Sequence, residues 1–200
     1  MPNRFSKTVA CFALAVACLA SVAAAQGPAP VSPVPASNVV SNPTYTSIAL
    51  EIMVNRPAAE VWKRVGKFCD IGEWFRIPCT ITSGKDGEFG AVRSVAGEVL
   101  VGMTELSYTY TQPVRAGRPY NLYHGTLEAR PVTATTSRLV YTLMFDNSML
   151  ADDAARDKDK AQKTTQFTQA LENMKTLAEG GTLPPAPARG GAQPGAAQTK

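Results

Sequence analysis

The sequence predicts an α+β domain: a curved antiparallel sheet of seven strands, two short helices after the first strand, and one long C-terminal helix. Three observations carry this. A strand-like run up to Val54 stops at Asn55-Arg56-Pro57, and Ala58-Ala59-Glu60-Val61-Trp62 follows at once with helical spacing. From Cys79 to Asp146, β-rich runs alternate with short turns, which suit antiparallel neighbours. After Asp152, apolar residues recur every three or four positions to the end of a long run.

In the first strand, Thr44 to Val54, the residues Ile48, Leu50, Ile52 and Val54 share a face. Pro57 suits a first helical turn and Asn55 is the nearby cap candidate, so Ala58 to Val65 reads as one short helix. Lys67 to Phe75 reads as a second, closing on Trp74 before Pro78. Six further strands follow: Cys79 to Ser83, Phe89 to Val95, Glu98 to Met103, Ser107 to Gln112, Tyr120 to Val132 and Ser137 to Asp146. The turns between them include Gly84-Lys85-Asp86-Gly87, Gly97 and Thr104-Glu105-Leu106. Asn147-Ser148 offers a cap for the long helix, and Asp152 and Asp153 put negative charge in its first turn. Ala161, Thr164, Phe167, Leu171, Met174 and Ala178 form its apolar stripe, and Gly180-Gly181 ends it.

The ends of the chain differ from this middle. Residues 1–25 have the features of a secretory signal: Arg4 and Lys7, an uncharged stretch from Thr8, and Ala23-Ala24-Ala25 before Gln26. The alternative is an uncleaved membrane anchor. Residues 26–43 form a Pro/Ala-rich spacer and 180–200 a Pro/Gly/Ala-rich tail with too few apolar residues to order. The folded domain is therefore expected over 44–179. Removing Arg4 and Lys7 leaves 18 basic against 16 acidic residues, with no dense basic patch, so nucleic acid is not an expected partner. Lys158, Lys160 and Lys163 alternate with Asp157 and Asp159 and read as a solvated helix face. Cys11 and Cys18 fall in the signal. In an exported chain the remaining Cys69 and Cys79 are most simply a disulfide, with two buried thiols or half a metal site as alternatives. A metal needs more ligands than these and His124, the only histidine, supply; no metal or other cofactor is expected.

Only the long helix can cover the inner face of such a sheet. With the short helices wedging one end open, an elongated apolar cavity is expected between helix and sheet. This order of elements resembles the START-like superfamily, also called SRPBCC, over about Ile48 to Leu177. The residues that carry the resemblance are Arg56 to Trp62, Ile71-Gly72-Glu73-Trp74, Gly90 to Arg93, Tyr108-Thr109-Tyr110, Tyr123 to Leu127 and Leu139-Val140-Tyr141. It implies a helix-grip fold with a hydrophobic pocket, as in polyketide cyclase/dehydrase-like and lipid-transfer proteins. Tyr141 stands where many relatives carry Trp, and the fourth and fifth strands are closely joined, so no ligand transfers from a relative.

No nucleophile, P-loop, zinc-binding or dinucleotide motif is present. The candidate ligand-binding residues are Trp74, Arg93, Tyr108, Tyr110, His124, Tyr141, Leu143, Phe167, Leu171 and Met174. Tyrosines bring a ring and a hydroxyl to a wet-ended apolar pocket, or simply pack in a core. Trp74 is placed as a gate. Trp62 reads as a structural anchor. Arg93 either pairs with Glu98 across a turn or points inward to a ligand carboxylate or phosphate. His124 is either a hydrogen-bonded strand histidine or a polar anchor or base.

The reading that results is an exported, periplasmic or secreted, START-like protein that holds a small hydrophobic or amphipathic ligand: lipid, sterol-like, aromatic or polyketide-like. A cyclase/dehydratase acting in the same cavity is the second reading. An interior filled by side chains removes both, and leaves an envelope interaction domain that uses its outer surface. No membrane span is expected after signal cleavage.

Overall fold

A computed structural model describes residues 42–114 and 120–185. The expectations for the signal, for nearly all of the spacer, for Cys11 and Cys18 and for the tail beyond Pro185 lie outside the described residues. The strands are β1 (Tyr45–Val54), β2 (Ile81–Ser83), β3 (Val92–Arg93), β4 (Val99–Thr104), β5 (Ser107–Thr111), β6 (Tyr123–Pro131) and β7 (Ser137–Asp146). The helices are α1 (Ala58–Val65), α2 (Ile71–Trp74) and α3 (Asp153–Ala178). All seven strands form one antiparallel sheet in the order β1-β7-β6-β5-β4-β3-β2, so the last strand returns beside the first. This is the α+β helix-grip arrangement expected from the sequence.

Strand alternation fixes which face turns inward. On β6 Tyr123, Leu127 and Ala129 are buried, as are Leu139, Tyr141, Leu143 and Phe145 on β7 and Tyr108 and Tyr110 on β5. These meet the buried side of α3, which is Phe167, Ala170, Leu171, Met174 and Leu177. Leu177, absent from the expected stripe, belongs to it, whereas Ala161 is exposed. Between β3 and β4 a tight turn over Val95–Glu98 has both central residues, Ala96 and Gly97, at positive φ (51° and 64°). That backbone matches the twist of a hairpin, and it sets Arg93 and Glu98 side by side.

Several local expectations change. The second helix is one turn, 71–74, preceded by bonded turns from Lys67 rather than by helix. Pro57 itself occupies the N-cap of α1, and Asn55 instead donates its backbone N–H to Glu179 Oε1 at 2.8 Å. The cap of α3 is Asp152, extended and accepting from Ala155 N at 2.8 Å, not Asn147-Ser148. The Ser148 N–H and hydroxyl donate to Asp146, at 3.0 and 3.1 Å. At the far end Gly180 N–H donates to Leu177 O and Gly181 N–H to Thr176 O, a Schellman closure with Gly180 at φ +90°. Cys69 and Cys79 form the disulfide, tying the loop before α2 to the segment before β2.

Candidate functional site

Arg93 organises the interior. Its side chain is 0% exposed and that of Glu98 4%. Nε donates to Glu98 Oε2 at 2.6 Å, Nη2 lies 2.5 Å from the same oxygen, and Nη1 donates to Phe68 O at 2.5 Å. The guanidinium sits 4.2 Å above the Phe68 ring, 4.7 Å from Tyr110 and 5.9 Å from Tyr108. Gln112 Nε2 donates to the other Glu98 oxygen at 2.9 Å. Of the two alternatives for Arg93, the structure realises the pair with Glu98. The whole fork faces protein groups. Burial pulls the Arg93 pKa down, but Tyr108, Glu98 and neighbouring tyrosines outweigh it and leave the group firmly cationic.

The expected space between sheet and α3 is filled in its middle. Tyr141 and Phe167 rings lie 4.7 Å apart, Phe75 and Phe167 5.2 Å, and Trp74 and Tyr141 6.3 Å. The Tyr141 hydroxyl donates to that of Tyr110 at 3.0 Å. Tyr110 crosses Gly125, where a Cβ would stand 2.4 Å from its ring. Leu143, Leu171 and Met174 complete this packing as core. Burial pushes the phenols of Tyr110 and Tyr141 well up. Trp74, Arg93, Tyr108, Tyr110, Tyr141, Leu143, Phe167, Leu171 and Met174 are thus brought together as one core, while the principal cavities among the described residues lie at its ends.

His124 is not part of this group. Tyr123, Gly125 and Leu127 take the inner face of β6, so His124 turns outward, opposite Thr111 and Met144. Burial holds its pKa down, opposed by a hydrogen bond to the Tyr110 backbone.

One cavity, of about 310 Å³, opens between the end of α1, the 85–88 turn and the β4–β5 hairpin. Its walls are Trp62, Phe68, Leu100, Met103 and Tyr108, with Lys63, Lys67 and Asp86 among its polar lining. That size falls at the lower end of ligand pockets, which run about 300–1,000 Å³. Gly66 permits the wall: a Cβ there would meet Trp62 Cδ2 at 2.4 Å, so only glycine lets the indole fold over the helix end. Tyr108 is the inner wall, its ring 5.7 Å from Trp62 and 5.5 Å from Phe68. It is 3% exposed, and its hydroxyl has no partner in hydrogen-bonding geometry. Burial pushes the phenol up, with the Arg93 guanidinium acting the other way.

A second cavity, of about 540 Å³, lies between α2, α3 and Pro184–Pro185. Trp74, fully buried, is its floor and, through Tyr141, part of the core; its Nε1 has no partner. Asn173 Nδ2 donates to Trp74 O at 2.8 Å and pins the indole's backbone to α3. A third polar cluster was hidden in the charge run: Lys163, expected on a solvated face, is only 13% exposed. It donates to Asp159 at 2.9 Å and to the Tyr120 hydroxyl, which itself donates to Asp159 at 2.5 Å.

Sequence reasoning did not assign Phe68, Leu100, Met103 or Gln112 to a site. Spacing offers no signal for them, because three separate elements bring them together. Among the described residues there is no group of three or more His, Cys, Asp or Glu that could hold a metal, and no helix long and apolar enough to cross a membrane.

Residues 45–179 match the family model described as polyketide cyclase / dehydrase and lipid transport. No curated protein matches the chain. Among solved structures, the chain is similar to a Thermobifida fusca protein solved by NMR, at 24% identity and TM-score 0.56, covering 68% of this chain and 97% of that one. It is also similar to the Zhui aromatase/cyclase of Streptomyces sp. R1128, at 18% identity and TM-score 0.53, covering 70% of this chain and 100% of that one. At these identities the structural likeness establishes the fold.

Proposed function

Because the chain belongs to the polyketide cyclase/dehydrase and lipid transport family, we propose that it is an exported, periplasmic protein that binds a small hydrophobic or amphipathic molecule. The observation that carries this reading is the cavity at the α1 end, walled by Trp62, Phe68, Leu100, Met103 and Tyr108. Apolar and aromatic walls supply affinity by removing ligand surface from water, and a few polar groups set orientation. The binding space differs from the one expected from the sequence: it lies beside the core rather than along α3, because aromatic side chains occupy the middle. Export is supported by the signal-like residues 1–25 and by the Cys69–Cys79 bridge, since disulfides persist in oxidising compartments.

Binding is favoured over turnover by the ionisable groups of the core and cavity. A general acid or base works best with a pKa near ambient pH. Here the phenols of Tyr108, Tyr110 and Tyr141 are pushed up and His124 faces away.

The test is native mass spectrometry of protein recovered from the periplasm, then organic extraction and identification of what it carries. The expected result is a mature chain starting at Gln26 with a discrete apolar adduct. An adduct-free chain whose tryptophan emission is unmoved by millimolar aromatic and fatty-acid compounds refutes the binding reading.

A further inference from the structure

Past residue 179, where the family match ends, the chain stays on the domain for several residues. Gly180, at φ +90°, and Gly181 turn it back, and the return is built for glycine. A Cβ on Gly181 would stand 2.9 Å from Thr176 Cγ2 and 3.0 Å from Thr176 O. Leu183 then packs half-buried against the core and lines a cleft with Leu177 and Arg76. Pro184 and Pro185 form one side of the α2–α3 cavity. Its other walls are Trp74, Phe75 and Ala170, with the amide side chains of Gln166, Gln169 and Asn173.

Apolar contact holds this segment. Its last hydrogen bond runs from Gly181 N–H to Thr176 O at 2.8 Å, and among the described residues none involves 182–185. Half-burying a leucine favours the seated form by a factor on the order of ten. The prolines add little ordering cost, because their φ is fixed before they seat. The seat is therefore filled but shallow. Its chemistry also suits the segment. Aromatic grooves take proline-rich stretches, whose backbone carbonyls have no partners of their own, and amide side chains can donate to them.

We propose that the α2–α3 cavity is a docking groove for this chain's own Leu183-Pro184-Pro185, which acts as a releasable strap and closes the groove in cis. The strap is separate from the cavity at the α1 end and stands whether or not that cavity holds a ligand.

The test uses the full-length chain and an acetylated peptide with the sequence of residues 182–187, Thr-Leu-Pro-Pro-Ala-Pro. The readout is the NMR signals of Gln166, Gln169 and Asn173. Leu183→Ser should empty the groove and move these signals, and added peptide should return them. A short tether gives an effective concentration on the order of 1 mM, so a seat favoured about tenfold in cis corresponds to half-saturation at about 0.1 mM in trans. The parent chain, whose own segment competes, should need about tenfold more peptide than Leu183→Ser. Gly181→Ala keeps Leu183 but crowds Thr176, and should move the signals in the same direction. A peptide with serine in place of its leucine should return nothing.

The strap is refuted if Leu183→Ser and Gly181→Ala leave the three signals in place, if parent and variant need equal peptide, or if the peptide never returns the signals. Signals that depend on protein concentration mean that a second copy fills the groove, which also overturns the assignment in cis.

Discussion

Replacing Glu98 with Gln keeps the shape of the side chain and deletes one charge of a pair whose partners are 4% and 0% exposed. The pair lies 2.5 Å apart at its nearest atoms, and Gln112 and Phe68 O satisfy the flanking groups. At charge separations of about 4 Å and an effective dielectric constant near 20, the lost attraction is about 4 kcal/mol. Breaking one side of buried pairs costs about 3–5 kcal/mol, which agrees. Domains unfold at about 5–15 kcal/mol, so Glu98→Gln should remove a large share of stability. At roughly 4 °C per kcal/mol for a domain of this size, Tm should fall by about 15 °C. The assay is urea unfolding at pH 7 with the disulfide intact, followed by tryptophan emission. A second variant, Arg93→Met with Glu98→Met, removes both charges. It should lie within about 2 kcal/mol of the parent, because apolar replacement of a buried pair is often neutral, while Gln112 loses an acceptor and Phe68 O a donor. A loss below about 1 kcal/mol in Glu98→Gln, or a double variant no better than the single, would refute the argument that the interior around Arg93 is dry.

Gly125→Ala places a methyl 2.4 Å from the Tyr110 ring and should cost about 2–4 kcal/mol by overpacking and loss of the Tyr141–Tyr110 hydrogen bond; an unchanged urea midpoint would show that Tyr110 moves freely. Cys69→Ala with Cys79→Ala opens a link spanning 10 residues and should cost about 3 kcal/mol on the loop-entropy scale, and the parent protein in reductant should show the same midpoint. The folded-state pKa of His124 is depressed, so the unfolded chain takes up its proton first as pH falls. Its contribution is fully present above the unfolded value near 6.5 and is lost as pH falls through the lower folded value. His124→Gln should flatten the fall in urea midpoint between about pH 7 and 5, and an unchanged slope would place the titration elsewhere.

The elements were legible because each rests on local chemistry. Pro57 fixes the start of α1, the acidic residues at 152 and 153 mark the start of α3, and Gly180 ends it. What was not legible depends on partners far away in the chain. Asn147 and Ser148 look like caps, but Asp146 draws the Ser148 donors and leaves the cap to Asp152. Lys163 and Asp159 look like a solvent pair at i,i+4 spacing until Tyr120, 43 positions earlier, covers them. The outward turn of His124 did have a signal. The alternate set Tyr123, Gly125, Leu127, Ala129 is the more apolar one, and alternation then sends His124 to the other face.

The same distinction explains why the cavity sits where it does. Strands β5 and β7 and helix α3 present large side chains to the middle of the grip: Tyr110, Tyr141, Phe145 and Phe167. Gly125 gives Tyr110 room to lie flat there, so the centre closes. At the α1 end the facing residues are Leu100 and the glycine at 66, and Trp62 folds aside over that glycine to become a wall instead of a plug. Between the two regions stands Arg93 with Glu98. A cation in a dry wall is tolerated only when it is paired, and Glu98 and Phe68 O take the Arg93 Nε and Nη1 donors, with Nη2 held in the ion pair to Glu98.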